Sequence, residues 1–256
     1  MRKQLVVLVG VALLALAPSL ASSQESEPPL MKQVWSFDGP FGTIDRAAAQ
    51  RGLEVYEEVC SKCHSLNLLH YGDLTGLGYT EEQVKAIASQ HQVTDGPNDQ
   101  GEMFQRPGRP ADKFVAPFPN EKAARAALNG ALPPDLSLII KAREGGADYV
   151  YSILNGYRNP PAGVKMADGM QYNEFFTTGN HQIAMPPPLA GDDVKFADGA
   201  KSDLPNEARD VVTFLTWAAE PTQEDRKRTG AKVIIFLLVM TGFLYAAKRK
   251  IWADVH

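Results

Sequence analysis

The sequence predicts a mainly α-helical domain whose helices are separated by long structured loops, with one further helix at the C-terminus that crosses a membrane. Three observations predict it. Amphipathic segments with recognisable starts and stops recur along the body, and no run of alternating apolar and polar residues reads as a strand. Glycine (21) and proline (18) are generous for 256 residues and gather between those segments. Two uncharged apolar runs stand near the chain ends, outside a charged body. A composition of 44% apolar and 22% charged residues excludes a disordered, collagenous or polytopic membrane chain, and two cysteines exclude a disulfide-dense secreted scaffold.

Residues 1–23 read as a secretory signal. Arg2 and Lys3 give a positive start, Leu5 to Ala17 is apolar apart from Gly10, and Ala21, Ser22 and Ser23 are small enough for a peptidase, with cleavage after Ala21 or Ser23 equally defensible. The alternative is an uncleaved anchor, for which the run is short. The second run, Val233 to Ala247, covers about 22 Å at about 1.5 Å per residue. Thr229, Gly230 and Ala231 lengthen it towards the ~30 Å of a hydrocarbon core if Lys232 snorkels. Trp252 stands where an interfacial aromatic belongs. A buried soluble helix is the alternative, but it needs no basic cluster on each flank. An anchor over 229–247 is therefore expected. The signal orients it, with the body 24–225 exported and the tail 248–256 cytoplasmic.

Within the body, residues 24–43 carry Pro28, Pro29 and Pro40 without helical periodicity and read as an extended arm. Ile44 to Val59 offers an apolar stripe through Ala47, Ala48, Leu53, Val55 and Tyr56. Thr80 with Gln83 forms a capping box that opens a helix to about Gln90. Residues 91–119, rich in Gly, Pro and Asp, are expected to be loop. Asn120 caps a helix through Leu128 that Gly130 stops. Pro134 suits the first turn of another helix, ending before Gly145 and Gly146. Ala147–Asn155 forms the next, with Gly156 past its end. Loop then runs to about residue 205, and Glu207–Ala219 is the last helix before the anchor. Long structured loops of this kind commonly bind something.

The formal charge of −4 averages unequal parts. The body 24–225 holds 17 Lys and Arg against 29 Asp and Glu, a net charge of −12, because nine basic residues lie near the ends. Nucleic acid is thereby an unsuitable partner and a basic protein a suitable one. Asp95, Asp99 and Glu102 are the first candidates for the patch that attracts it.

The one sharp motif is Cys60-Ser61-Lys62-Cys63-His64. Two thiols one turn apart can each add to a vinyl group of the same haem, and the histidine that follows can then face the iron. A zinc site needs further ligands, and the chain has no third cysteine. A thioredoxin-like pair needs a strand–turn–helix setting, and a structural disulfide leaves His64 unexplained. Thioether attachment also agrees with export. For the sixth position of the iron the candidates are Met31, Met103, Met166, Met170, Met185, His70, His91 and His181. Met185 precedes Pro186, Pro187 and Pro188, which keep it out of helix and stiffen its loop. A soft thioether held in that way suits an iron that changes valence with little movement. A gap-filling core Met is the plain alternative, and His181 is the next candidate ligand.

These residues, with others, resemble the cytochrome c1 family. The resemblance is carried by Cys60–Ser65, Tyr71, Leu74, Asp95-Gly96-Pro97-Asn98, Gly101–Phe104, Ala123–Ala127, Asn129–Ser137, Gly145-Gly146, Met185–Pro188, Trp217–Pro221 and the single anchor, from about residue 35 to 252. It implies a c-type cytochrome core enlarged by loops, carrying one covalent haem c. It implies the haem-bearing subunit of a ubiquinol–cytochrome c oxidoreductase, the cytochrome bc1 complex, in a bacterial cytoplasmic membrane with its haem domain in the periplasm. Such a subunit is no enzyme by itself. It sits beside cytochrome b, takes an electron from the Rieske iron–sulfur subunit and passes it to a soluble basic cytochrome c. Matching positions imply Cys60 and Cys63 as thioether attachments and His64 and Met185 as axial ligands. They also imply that Arg143 pairs a haem propionate and that Asn129, Pro133, Pro134 and Tyr149 line the pocket. His70 departs from the pattern, Pro186 replaces the alanine of many relatives, and no extra cysteine pair is present. From the residues alone, Arg143 on a helix beside Ile139 and Ile140 suits a partly buried carboxylate, a solvated arginine being the alternative. Two other functions compete: a membrane-tethered cytochrome c shuttle that stands alone, and a haem enzyme or sensor with an open sixth position.

Overall fold

A computed structural model describes residues 28–254, so the signal read over 1–23 lies outside the described residues. The helices are α1 (Arg46–Glu58), α2 (Glu81–Ser89), α3 (Glu121–Ala127), α4 (Gly146–Asn155), α5 (Leu204–Ala219) and α6 (Gln223–Ile251). Two small antiparallel hairpins join them: β1 (Gln92–Asp95) with β2 (Phe104–Pro107), and β3 (Gln171–Tyr172) with β4 (Gln182–Ile183). The mainly helical class holds, with little sheet.

Helix α5 is the centre of the body, and α1 and α4 both pack on it. From Val211 to Ala219 every residue of α5 is buried. Gly52 makes the close crossing possible, because a methyl built on it would run into the Asp210 carbonyl and the Phe214 Cβ. Arg51 clamps the crossing, with Nε 2.6 Å from one Asp210 oxygen and a terminal nitrogen 2.8 Å from Asp198. Tyr56 fills the space between layers, with ring centroids 5.8 Å from Phe214 and 6.2 Å from Phe114, and Phe114 stacks on Tyr71 at 4.5 Å. From residue 28 on, the N-terminal arm has no helix and straps α4: Trp35 Nε1 donates to Asp148 at 2.8 Å, and the Met31 amide donates to Ser152 Oγ at 2.8 Å.

Most local signals act as the sequence predicts. Thr80 and Gln83 form the capping box of α2, while α1 starts at Arg46 and not at Ile44, because the Asp45 side chain accepts from the Ala48 amide. Asn120 caps α3, and Gly156 ends α4. Helix α5 begins three residues before Glu207, because Asp203 accepts from the Asn206 amide and Pro205 occupies the first turn.

Three expectations are corrected, the first being the loop to about residue 205, where β3 and β4 pair. Residues 91–119 are not all loop, since β1 and β2 pair there. The strands are only four residues long and neither has a buried residue; side chains help to hold them, with Arg106 bound to Asp95 and to Asp112. Asp95 is thus occupied by Arg106, leaving Asp99 and Glu102 as the acids of the hairpin turn. No helix forms between Pro134 and Gly145; the segment is a series of turns. Its first carbonyl, on Pro134, accepts from His64 Nδ1, and the Asp135 carboxylate accepts from the Ser137 amide, a local bond that competes with helix. Arg143 therefore sits on a turn.

Helix α6 is the one helix among the described residues long and apolar enough to cross a membrane. At about 1.5 Å per residue its 29 residues reach about 43 Å. It begins before the span, where Glu224 accepts from the Ile44 amide and pairs with Arg46, so the head and the span share one continuous rod. Its apolar side chains from Val233 to Tyr245 are exposed on every side, which sets aside the buried-helix alternative.

Candidate functional site

Helix α1 delivers the Cys-x-x-Cys-His motif. The chain leaves it at Val59 and tightens into a 3₁₀ turn over Cys60–Lys62, where the Cys60 carbonyl accepts from the Cys63 amide at 3.1 Å and the His64 amide at 2.9 Å. Ser61 Oγ donates back to the Glu57 carbonyl at 2.7 Å, keeping the turn stacked on the helix. Both thiols are free and half-buried. Burial, with Cys63 beside it, pushes the Cys60 thiol up to about 12, which favours its protonated form.

The imidazole of His64 is oriented from the Pro134 turn. Its Nδ1 lies 2.8 Å from the Pro134 carbonyl. A carbonyl only accepts, so Nδ1 carries the proton and the Nε2 lone pair is left for a metal. Burial lowers the His64 pKa, partly opposed by the Pro134 carbonyl and the Asp135 charge, and so favours this neutral form. Two further groups hold the pair in register, and sequence reasoning missed both. Tyr56 donates its hydroxyl to the His64 carbonyl at 3.1 Å, and Asp135 accepts from Ser65 Oγ and the Asn67 amide at 2.8 Å each. Tyr56 reads in sequence as one more apolar residue of the α1 stripe. Asp135 had a signal in Pro134-Asp135-Leu136-Ser137, a side chain that bonds the backbone two residues on. Burial pushes the Asp135 carboxyl up, and the bonds from Ser137, Asn67 and Ser65 outweigh it, holding it below its ordinary value.

The other expected site residues come from three more segments. Arg143 lies beside the Tyr149 hydroxyl; burial raises the Tyr149 pKa, and the guanidinium opposes that rise. Asn129 stands at a left-handed φ of 51° just past α3, and Pro133 is half-buried. Among the described residues no hydrogen bond ties Asn129 or Pro133 to the cysteines or to His64. Met185 is half-buried after β4, and its carbonyl accepts from the Tyr157 hydroxyl at 3.0 Å, a third contact the sequence did not announce.

Five of the other candidates can be placed by their neighbours. His181 stacks on Tyr172 at 5.5 Å with Nδ1 3.2 Å from the Asn173 carbonyl, and His91 stacks on Tyr71 at 5.2 Å. The His70 amide donates to Asp73, whose side chain opens the 3₁₀ turn Tyr71–Leu77. Met31 packs against the main core, and Met103 is exposed on the hairpin.

The donor set fits a c-type haem. Two unpaired thiols one turn apart can form two thioethers, and an oriented neutral imidazole supplies one axial nitrogen. Among the described residues no three His, Cys, Asp or Glu side chains converge as a metal-ion site, so the thiols lack the companions that zinc needs.

Comparison with known proteins agrees with this chemistry. The model described as the Cytochrome C1 family matches residues 35–255. The chain is 41% identical to cytochrome c1 of Rhodospirillum rubrum, over 97% of this chain and 96% of that protein. It is 47% identical to a mitochondrial haem protein of Arabidopsis thaliana, cytochrome c1 1, over 89% of this chain and 74% of that one. It is 46% identical to cytochrome b/c1 of Bradyrhizobium diazoefficiens over 94% of its own length, and it spans 38% of that protein. With a family match across most of its length and relatives this similar, the chain belongs to the cytochrome c1 family.

Proposed function

We propose that the protein is a membrane-anchored electron carrier with one covalent haem c, the haem-bearing subunit of a ubiquinol–cytochrome c oxidoreductase. The observation that carries this reading is the turn after α1: two free thiols beside an imidazole whose Nδ1 is fixed on the Pro134 carbonyl. A bound haem supplies an iron that gains and loses one electron. Every other part of the task belongs to the chain. Cys60 and Cys63 hold the group through thioethers. His64 offers Nε2 and Met185 its sulfur from a proline-stiffened loop, so the ligand cage moves little when the charge on the iron changes. Arg143 pairs a propionate, and Asn129, Pro133, Pro134 and Tyr149 line the pocket.

The head, 24–225, stands on the periplasmic side of a bacterial cytoplasmic membrane, α6 anchors it through 229–247, and 248–256 is the cytoplasmic tail. Cytochrome b and a Rieske iron–sulfur protein are its neighbours; the name of the Bradyrhizobium relative, which joins b to c1, supports that assembly. The protein itself makes and breaks no substrate bond. Purification in mild detergent is expected to bring down a cytochrome b and a Rieske protein with this chain, and its reduced haem is expected not to bind carbon monoxide. A haem protein that purifies alone is the tethered shuttle instead, and one that binds carbon monoxide readily has an open sixth position.

The acceptor we infer is a soluble basic cytochrome c, drawn by the −12 charge of the body. Its second-order reduction rate is expected to fall steeply as salt rises, because ions screen such attraction beyond about 8 Å at physiological strength. Neutralising Asp99 and Glu102 is expected to slow the reaction at low salt and leave it nearly unchanged at high salt. A rate flat in salt for the unaltered protein means apolar docking.

A further inference from the structure

Pro186, Pro187 and Pro188 follow Met185, and none has a backbone N–H to donate. Met185 is held on its own carbonyl by Tyr157. Beyond the prolines, the loop is tied down by two carboxyl groups. The Ala190 and Gly191 amides donate to Asp193 Oδ2 at 2.7 and 2.9 Å. The Asp193 and Val194 amides donate in turn to Glu207 Oε1 on α5, at 2.9 and 3.3 Å, and Ser202 adds its hydroxyl to the same oxygen.

Glu207 is fully buried, and its second oxygen, Oε2, has no hydrogen-bond partner. The charged group that acts on it is Asp193. Lys201 is bound to Asp203 with Asp192 close by, and Arg51 is bound to Asp198 and Asp210. A carboxylate here is desolvated and repelled by Asp193, and among the described residues no salt bridge reaches it. A carboxylic acid keeps the three bonds to Oε1 and carries its proton on Oε2, free of that penalty.

We propose that Glu207 is a positioning residue for Met185: as a neutral carboxylic acid it fastens, with Asp193, the loop that presents the sulfur onto α5, and its ionisation unfastens that loop. The proposal rests on the reading of Met185 as an axial ligand. Burial, then the neighbouring Asp193, hold the Glu207 pKa above its ordinary value, against the bonds from Ser202 and Val194. The sign follows. A carboxyl that binds its proton more tightly when folded stabilises at low pH, and that contribution is lost as pH rises through the folded value.

The test titrates the purified haem-bearing protein upward in pH and follows two signals. One is the weak far-red band of sulfur ligated to ferric iron, and the other is amide-exchange protection across residues 189–203. Both are expected to be lost together. Glu207→Gln keeps the shape and cannot ionise, so it is expected to move both losses upward by about one pH unit or more. Glu207→Ala removes the tie, and its loop amides are expected to exchange about tenfold faster even at low pH. Equal transition pH in the unaltered protein and Glu207→Gln overturns the proposal, and so does unchanged exchange in Glu207→Ala. The Met185→Leu variant separates the two failures. If it keeps the far-red band, the ligand assignment falls, while the exchange of residues 189–203 still reports whether Glu207 fastens the loop.

Discussion

A chain carrying Cys60→Ser and Cys63→Ser together is expected to run without haem on a denaturing gel, whereas either single variant keeps haem through one remaining thioether. A thioether survives denaturation, and an axial bond to iron does not, so the gel separates covalent attachment from ligation alone. The geometry makes each thiol count. The 3₁₀ turn places Cys60 and Cys63 one turn apart, both unpaired, and no third cysteine exists to replace either. Serine is smaller and keeps the turn, whose backbone bonds run from the Cys63 and His64 amides to the Cys60 carbonyl and do not involve the sulfurs. Haem retained by the double variant through denaturation sinks the c-type reading.

The second large effect is expected from Met185→Leu. The exchange is nearly volume-conserving and costs less than about 1.5 kcal/mol of stability in general. The Tyr157 bond goes to the Met185 carbonyl and is kept. The loop therefore stays in place while the sulfur is lost. The haem is expected to remain covalent and the reduction potential to drop by on the order of 0.1 V, a fraction of the roughly 0.8 V that axial ligands span. Carbon monoxide is expected to bind the reduced variant. A spectrum and potential equal to those of the unaltered protein move the ligand elsewhere, first to His181, whose Nδ1 is also held by a backbone carbonyl.

Much of this protein is written in short stretches of sequence, because the controlling interactions are local. The caps Thr80 and Asn120 act within three residues of themselves, and each begins its helix where it is expected. The haem motif is five consecutive residues. The membrane helix is a matter of length and hydropathy, and α6 meets both. What the chain alone determined is thus the helical class, the position of the two thiols and His64, and the apolar C-terminal helix.

The tertiary structure decided the rest, through contacts between residues far apart in the chain. The Pro134 carbonyl that a helix would have used is taken by His64, 70 residues away, which turns an expected helix into turns and fixes the tautomer of the imidazole. The hairpin of β1 and β2 depends on Arg106 reaching Asp95 and Asp112, which no periodicity records. Tyr56 changes from one residue in an apolar stripe to a clamp on the His64 carbonyl. Glu207 appears in sequence only as the start of the last helix; burial on α5 beside Asp193, 14 residues away, is what makes a proton on it matter. Local pattern carries the backbone's preferences over a few residues, whereas burial and long-range hydrogen bonds set which side chains are charged, oriented and near one another.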